Sequence, residues 1–409
     1  MRPGRAPAKN ALLFLLAASS FAACGAAAGG WQAGALGKID SLDAELAERH
    51  TDLLSIRHKA VGMKERELRG AQRMVVRASF DVGSGAVKVT VAEVDLHQCI
   101  NGHVNRVLFE KKENLLLAED LERSVEASKG KEGAPDPEFS AKACAQLQQV
   151  VRELKRQAEE AGAVAFSGAA TAAFRKASNG PSLLKQMEDE MGVRLRVISQ
   201  EQEASLGWAC VNDQFRDQGV GEIVVWDSGG GSFQVSGFEM GRHTSWLRDV
   251  GSASTLATLV RSVQGCSLAD TASPNPVSVE QAQALARALK VQIGAPPGSL
   301  EMKLSAPGVR LYGIGGDTSI FALAAQTADH ADISKASVLQ AIEGLCGKTD
   351  DQLRRVEDVP GAQIQPHLVI PKLILLYAVL DLLGAPHVTY LPTNGLCGGI
   401  LVTPDFWCD

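Results

Sequence analysis

Asp81-Val82-Gly83-Ser84-Gly85 and Asp227-Ser228-Gly229-Gly230-Gly231-Ser232 are the two stretches whose reading decides the fold. Apolar runs flank each of them: Met74 to Phe80 and Val87 to Val94 around the first, Ile223 to Trp226 and Phe233 to Phe238 around the second. A carboxylate followed by small residues between two strands makes a tight hairpin whose backbone N–H groups can face an anion. Two such hairpins predict a duplicated domain that grips phosphates from both sides.

Outward from these turns, strand and helix alternate. Arg106 to Glu110 reads as a third strand, and Ser128 to Pro137 as a loop. Ala141 to Ala161 reads as a long amphipathic helix and Ala163 to Ser167 as a short strand running into Gly168. Pro181 to Met191 is helical, with proline in the first turn. Arg194 to Ile198 reads as a strand and Glu201 to Cys210 as a helix. The second half repeats this logic, with a proline-broken loop at Ser273 to Pro276 and a helix from Ser278 to Lys290. It ends in a strand from Val309 to Gly313, a helix from Thr318, an apolar helix from Ile370 to Leu383 and a strand from Val388 to Leu391. Alternation of this kind implies α/β layers.

A chain of 409 residues is long for one core and implies two domains with appendages. The net charge of −6, with no basic stretch, argues against nucleic acid as a partner. Aromatic residues at 5% leave little for a base-stacking platform.

The first thirty residues read as a targeting segment. Arg2, Arg5 and Lys9 precede the apolar run from Ala11 to Ala18, and small residues surround Cys24. A secretory signal peptide is the reading these features favour, placing the protein in a secreted, periplasmic or otherwise extracytoplasmic compartment. Organelle import stays open, and the apolar run is short for a stable membrane span. Residues 31–72 are expected to form a helical extension, with Leu42, Leu46, Leu53, Leu54 and Ile56 spaced among charges from Lys38 to Arg69. Eight cysteines show no metal-like pairing and read mostly as buried thiols. In an exported chain Cys397 and Cys408 become disulfide candidates.

Glu203 lies where a strand hands over to a helix, in Ile198-Ser199-Gln200-Glu201-Gln202-Glu203-Ala204. A carboxylate there can take a proton from a water over the phosphate pocket. The plainer alternative is an acid favoured by the helix dipole. Asp81 and Asp227 are ordinary turn formers taken singly, but their repetition in one setting points to coordination of Mg2+ or water. Gly313-Ile314-Gly315-Gly316-Asp317-Thr318 is a third glycine turn, at a strand-to-helix junction where N–H groups can hold phosphate. Lys88, Arg175 and Lys176 are candidate phosphate contacts, against a default of solvated surface.

Taken in order, these motifs resemble the exopolyphosphatase / guanosine pentaphosphate phosphohydrolase (Ppx/GppA) family of the actin-like ATPase superfamily, from about Met74 to about Val402. Asp81 to Ser84 with Val87-Lys88 looks like the first phosphate loop, and Asp227 to Ser232 like the second. Gly168-Ala169-Ala170-Thr171 with Phe174 to Asn179 is similar to the family's Gly-Thr-x-Ala-x-Arg-x-Ala-x-Asn segment, two residues longer here. Ile198 to Gly207 looks like Ile-Ser-Gly-x-Glu-Glu-Ala-x-Leu-Gly, which sets Glu203 on the catalytic base.

The resemblance implies two actin-like (ribonuclease H-like) domains, at 73–206 and 207–409, with a phosphate-binding cleft between them. It implies hydrolysis of terminal phosphoanhydride bonds of polyphosphate or guanosine pentaphosphate, with Mg2+ or another divalent cation held at Asp81 and Asp227. Glu203 and Gln234 take catalytic roles in this reading. Gly83, Ser84, Gly85, Lys88, Arg175, Gly229, Gly230, Gly231, Ser232, Gly315, Gly316 and Thr318 bind phosphate. A homodimer stays open.

Four departures qualify it. Gly85-Ala86 replace the usual Asn-Ser, Gln202 the first Glu of a pair, Gln234 a metal-holding Glu, and Asp317 a small residue. Ala170 to Arg175, Glu203 with Leu206-Gly207-Trp208, and Gly229 to Gln234 are also similar to the ecto-apyrases, where a Gln helps place the attacking water. The alternatives are therefore an apyrase-like nucleotide hydrolase and a non-catalytic phosphate or nucleotide sensor.

Overall fold

The computed structural model describes residues 74–96, 102–128, 136–216, 222–239, 242–268, 270–328, 330–355 and 365–407. The expected leader (1–30), the extension (31–72) and Cys408 lie outside them. Gln72–Asp409 form one compact unit. Its first half runs β1 (Met74–Val82), β2 (Ala86–Asp95), β3 (His103–Asn114), α1 (Leu117–Ser128), α2 (Ala141–Glu160), β4 (Ala165–Ala170), α3 (Ala172–Lys176), α4 (Gly180–Met191), β5 (Arg194–Val197) and α5 (Gln200–Gln214). The second half runs β6 (Ile223–Ser228), β7 (Phe233–Glu239), β8 (Arg242–Arg248), α6 (Ser252–Thr258), α7 (Val279–Ile293), α8 (Gly298–Ser305), β9 (Arg310–Gly315), α9 (Ile320–Ala328) and β10 (Asp332–Ser334). It closes with α10 (Lys335–Leu345), α11 (Asp350–Arg354), α12 (Pro366–Leu382), β11 (His387–Pro392) and α13 (Gly395–Val402).

The strands form two mixed sheets, ordered β3-β2-β1-β4-β5 and β10-β11-β9-β6-β7-β8. Each is led by an antiparallel hairpin, β1–β2 or β6–β7, with a parallel strand, β4 or β9, on the hairpin's other side. The expected α/β class and the duplication of the hairpin unit are both present.

Period-two alternation decides what each strand presents to which side. On β1, Ala78, Phe80 and Val82 enter one core with Leu147, Val151 and Leu154 of α2. On β6, Val224 and Trp226 enter a second core with Leu285 of α7, Phe321 of α9 and Leu373 of α12. Asp81 and Asp227, one residue out of phase, are turned to the opposite faces. The Trp226 and Phe321 rings meet edge-on at 4.9 Å, an arrangement favoured by the aromatic quadrupole.

Those opposite faces are covered by two exchanged helices. Although α5 follows β5, it packs on β6, β7 and β8; although α13 follows β11, it packs on β1 to β4. The two helices cross each other closely, because glycine stands at the crossing: a Cβ on Gly399 would lie 2.1 Å from the Leu206 carbonyl oxygen. The expected boundary at 206/207 falls inside α5, and α13 packs on the first sheet.

Several elements differ from the sequence reading. The third strand extends over His103–Asn114 because its pairing with β2 continues before Arg106 and beyond Glu110. The helix expected from Thr318 begins at Ile320, where the Ser319 hydroxyl accepts from the Ala322 N–H at 3.1 Å. The loop at Ser273 to Pro276 contains a cis Asn275–Pro276 bond. Of the two disulfide candidates, Cys408 lies outside the described residues and Cys397 is a free thiol. It sits on α13 against β2, with Sγ 4.0 Å from the Lys88 carbonyl oxygen, and burial pushes its pKa up to about 12.

Candidate active site

The two hairpin turns are built alike. In the first, the Gly83 N–H donates to the Ala86 carbonyl at 2.9 Å; in the second, the Gly229 N–H donates to the Ser232 carbonyl at 2.9 Å. The next helix, together at the first turn with the residue Leu115 that leads into it, captures the turn carbonyls in both cases. The N–H groups of Leu115 and Ala118 donate to Gly85 and Ser84, and those of Ser252 and Ala253 donate to Gly229 and Gly230. With the carbonyls engaged, the N–H groups of Ser84, Gly85, Gly230 and Gly231 have no backbone partner among the described residues. Amides left without a backbone partner in a tight turn are what an anion-binding turn requires.

Register fixes what faces each aspartate. Lys88 stands opposite Asp81 across the first hairpin, and Gln234 opposite Asp227 across the second. The Lys88 ammonium is 2.9 Å from Asp81 Oδ2, and this contact, reinforced by Asp227, holds its pKa above the usual lysine value against the opposing effect of burial. Lys88, expected as a phosphate contact, thus has a carboxylate as its first partner. Asp227 has no such direct cation among the described residues. Burial pushes it up to about 6, offset by Lys88 at longer range and reinforced by Asp81. Gln234 is buried and donates from Nε2 to Ser232 Oγ at 3.2 Å.

Glu203 sits in the first turn of α5. The Ser199 hydroxyl accepts from the Gln202 N–H at 3.2 Å, and Gln202 Oε1 accepts from the Ser199 N–H at 2.9 Å. Gln202 therefore closes a capping box, a task that a glutamine carbonyl performs as well as a carboxylate. The helix is pinned to the second sheet by Ser236 Oγ, which donates to the Ala204 carbonyl at 3.1 Å. From the first half, Arg175 Nη1 reaches Glu203 Oε2 and the Ile198 carbonyl, each at 2.8 Å. Arg175, a candidate phosphate contact, has the Glu203 carboxylate as its ion-pair partner.

Burial raises the Glu203 carboxyl to about 7 despite Arg175, and the charges of Asp81 and Asp227 add to the rise. A carboxylate poised near neutrality is suited to accept a proton. The dipole reading of Glu203 does not account for this environment, because a purely dipolar role lowers the pKa of an acid.

The third glycine turn joins the site through lysines that sequence reasoning missed. Lys112 of β3 stands in register with Lys88 and donates to Thr318 Oγ1 at 3.1 Å. Lys372 of α12 donates to the Thr318 carbonyl at 2.7 Å. The one sequence signal for Lys372 was a lone lysine in a largely apolar helix. Gly315 and Gly316 form the turn before Thr318, and Tyr390 donates to the Gly315 carbonyl at 3.2 Å.

Asp81 and Asp227 have the donor chemistry for a hard divalent cation. Among the described residues, no three His, Cys, Asp or Glu side chains gather closely enough to hold a metal alone. Mg2+ suits such a place, since it takes one or two carboxylates and completes its shell with water and phosphate oxygens. The buried Ser228 hydroxyl, next to Asp227, has no hydrogen-bond partner among the described residues. A buried polar atom without a partner marks a position that a bound group would satisfy.

The model of the Ppx/GppA phosphatase family matches residues 97–266. No curated protein matches the sequence. Among solved structures, an Aquifex aeolicus member of the Ppx/GppA family is similar at 16% identity and a TM-score of 0.59, over 80% of this chain and 97% of that one. An exopolyphosphatase from Cytophaga hutchinsonii is similar at 14% identity and a TM-score of 0.57, over 80% and 96%. At these identities the likeness is one of fold. The resemblance to the Ppx/GppA phosphatase family therefore stands: residues 97–266 match that family, and the two sheets carry the actin-like fold of its solved members.

Proposed function

We propose that the chain hydrolyses the terminal phosphoanhydride bond of inorganic polyphosphate or guanosine pentaphosphate. One observation carries this reading: a half-buried carboxylate, Glu203, held by Arg175 at 2.8 Å and raised by burial to about 7, with the charges of Asp81 and Asp227 adding to the rise. The free amides of the two turns cradle the terminal phosphate between them. Arg175 occupies Glu203 Oε2, which leaves Oε1 for the attacking water. Glu203 takes the water proton as the oxygen attacks phosphorus in line; the bridging P–O bond breaks, releasing orthophosphate and a chain shorter by one phosphate. Asp81 and Asp227 would hold Mg2+, which supplies neutralisation of the phosphate charge.

The test is phosphate release in the presence of Mg2+ from long-chain polyphosphate, guanosine pentaphosphate, ATP and ADP, with Glu203→Gln as control. Release that survives unchanged in Glu203→Gln removes the base assignment. Binding of these compounds without release by the native chain supports a sensor. Gln234, buried at the position facing Asp227, favours a second reading as an apyrase-like hydrolase, whose signature is preference for ATP and ADP over polyphosphate. Among the described residues no helix is long and apolar enough to cross a membrane.

A further inference from the structure

Glu203 is carried by α5, a helix that follows the first sheet in sequence and rests on the second. How deeply the first turn of α5 is seated there decides where the carboxylate stands relative to the Asp227 turn. Two polar contacts make the seat. The Ser236 hydroxyl of β7 donates to the Ala204 carbonyl at 3.1 Å, and Gln200 Nε2 donates to the Arg248 carbonyl, at the end of β8, at 3.3 Å. Arg248 is itself fastened: its Nε donates to the Ile293 carbonyl, and its guanidinium lies 5.5 Å from the centre of the Trp246 ring.

Packing alone does not account for a serine at position 236. The residue is buried and stands opposite Val225, on a face where Ile223, Val225, Tyr312 and Ile314 pack with Val211 of α5. An aliphatic side chain there would avoid the cost of burying a hydroxyl. Nor does α5 need the bond. Ala204 lies inside the helix, whose ladder gives its carbonyl an N–H from four residues on, and the serine takes the second lone pair. What the hydroxyl adds is a fixed point on the main chain beside Glu203. Two residues earlier on β7 is Gln234, the cross-strand partner of Asp227. Alternate residues of a strand share a face, so one face of β7 meets both the Asp227 turn and the helical turn that carries Glu203.

We propose that Ser236 is a positioning residue that sets the distance between Glu203 and the Asp227 turn, with Gln200 as its weaker companion. The proposal rests on the hydrolase reading, in which Glu203 is the base. Ser236 touches no reacting atom and acts through the Ala204 backbone, while Arg175 holds the carboxylate from the other side. Without the hydroxyl, the first turn of α5 rises from β7 and water reaches a carboxyl whose pKa is raised first of all by burial. The charges acting on it are Arg175 from α3, which lowers the pKa, and Asp81 and Asp227 near the ends of β1 and β6, which raise it. Hydration and distance from Asp227 both favour the ionised form, so the pKa falls as the turn rises.

The experiment measures phosphate release from polyphosphate across pH, together with thermal unfolding, for the native chain, Ser236→Ala, Ser236→Thr and Gln200→Ala. In Ser236→Ala, kcat at alkaline pH is expected to fall about ten- to a hundredfold, with KM and melting temperature nearly unchanged. The acidic limb of kcat/KM moves to lower pH. Ser236→Thr keeps the hydroxyl and recovers most of kcat. Gln200→Ala repeats the pattern with a smaller loss and carries the test independently if the methyl of threonine disturbs the packing. An unchanged kcat and limb in folded Ser236→Ala overturns the proposal. So does a raised KM with kcat retained, which assigns the serine to substrate binding. A kcat loss that tracks a lowered melting temperature, with the limb unmoved, also overturns it, because a loosened fold then suffices. Absence of turnover in the native chain would instead break the hydrolase reading. The seat is then read from the Glu203 carboxyl titration by carbon-13 NMR, assigned with Glu203→Gln: a lower midpoint in Ser236→Ala supports it, and equal midpoints overturn it.

Discussion

The Asp81 turn and the Asp227 turn share a backbone and differ in charge. Both are closed by a glycine N–H on the carbonyl three residues later, and both lend their carbonyls to the helix that follows. Opposite Asp81, however, stands Lys88 at 2.9 Å, whereas opposite Asp227 stands the neutral Gln234. A carboxylate bonded to an ammonium is already compensated, and one left in a buried site without a direct cation is not. Asp81 therefore has an ammonium as its direct partner, while the carboxyl of Asp227 is raised by burial to about 6 with Lys88 acting on it only at longer range.

The largest effect tests whether the two turns serve one base. Glu203 feels both aspartates, so Glu203→Gln is expected to lower kcat by about 10²- to 10⁴-fold while substrate binding persists. Phosphate release with direct binding measurements decides this; retained kcat would leave the turns without a common centre.

The next effect comes from making the second turn electrostatically like the first. Gln234→Lys places an ammonium opposite Asp227, as Lys88 stands opposite Asp81. A charge-assisted contact of this kind contributes about 1.5–3 kcal/mol, so the Mg2+ concentration for half-maximal activity should rise about 10- to 100-fold. An unchanged Mg2+ requirement would mean that Asp227 is not the cation's carboxylate.

A third difference is steric. A Cβ on Gly251 would lie 2.5 Å from the Gly230 carbonyl, so α6 approaches the second turn closely, while Leu115 to Leu117 carry side chains at the start of α1 beside the first. Gly251→Ala is expected to cost about 1–3 kcal/mol in denaturant unfolding and to displace the second turn. Unchanged stability would show that the turn yields without strain.

The turns, Glu203 and the layered class were legible in the sequence because each is local: small residues after an acid, an acid after a capping serine, a period of two in the strands. What escaped was set by tertiary contact. Arg175 reads as a free phosphate contact until α3 is packed beside Ile198, where its guanidinium meets Glu203. Lys112 and Lys372 are separated by most of the chain and meet only through Thr318. Residues 207–214 read as part of a second domain's start, whereas they complete a helix that carries Glu203 from the first sheet to the second. Gln202 reads only as a replacement for the first Glu of a pair until its carbonyl is seen capping Ser199.

The smallest effect is a shift of profile and separates the role of Arg175 from that of either turn. Glu203 acts as base only when deprotonated, so activity should fall as the pH drops through about 7. Arg175 lowers that pKa by its charge and its hydrogen bond, while Asp81 and Asp227 raise it. Removing the guanidinium in Arg175→Met leaves burial and both aspartates acting unopposed, and the acidic limb of kcat/KM should move to higher pH. At alkaline pH, where the carboxylate is ionised in both proteins, the two rates should converge if Arg175 acts through Glu203 alone. A phosphate-binding Arg175 predicts the reverse pattern: a raised KM at every pH and a limb that stays where it was. The pH profile thus decides whether the arginine belongs to the base or to the substrate.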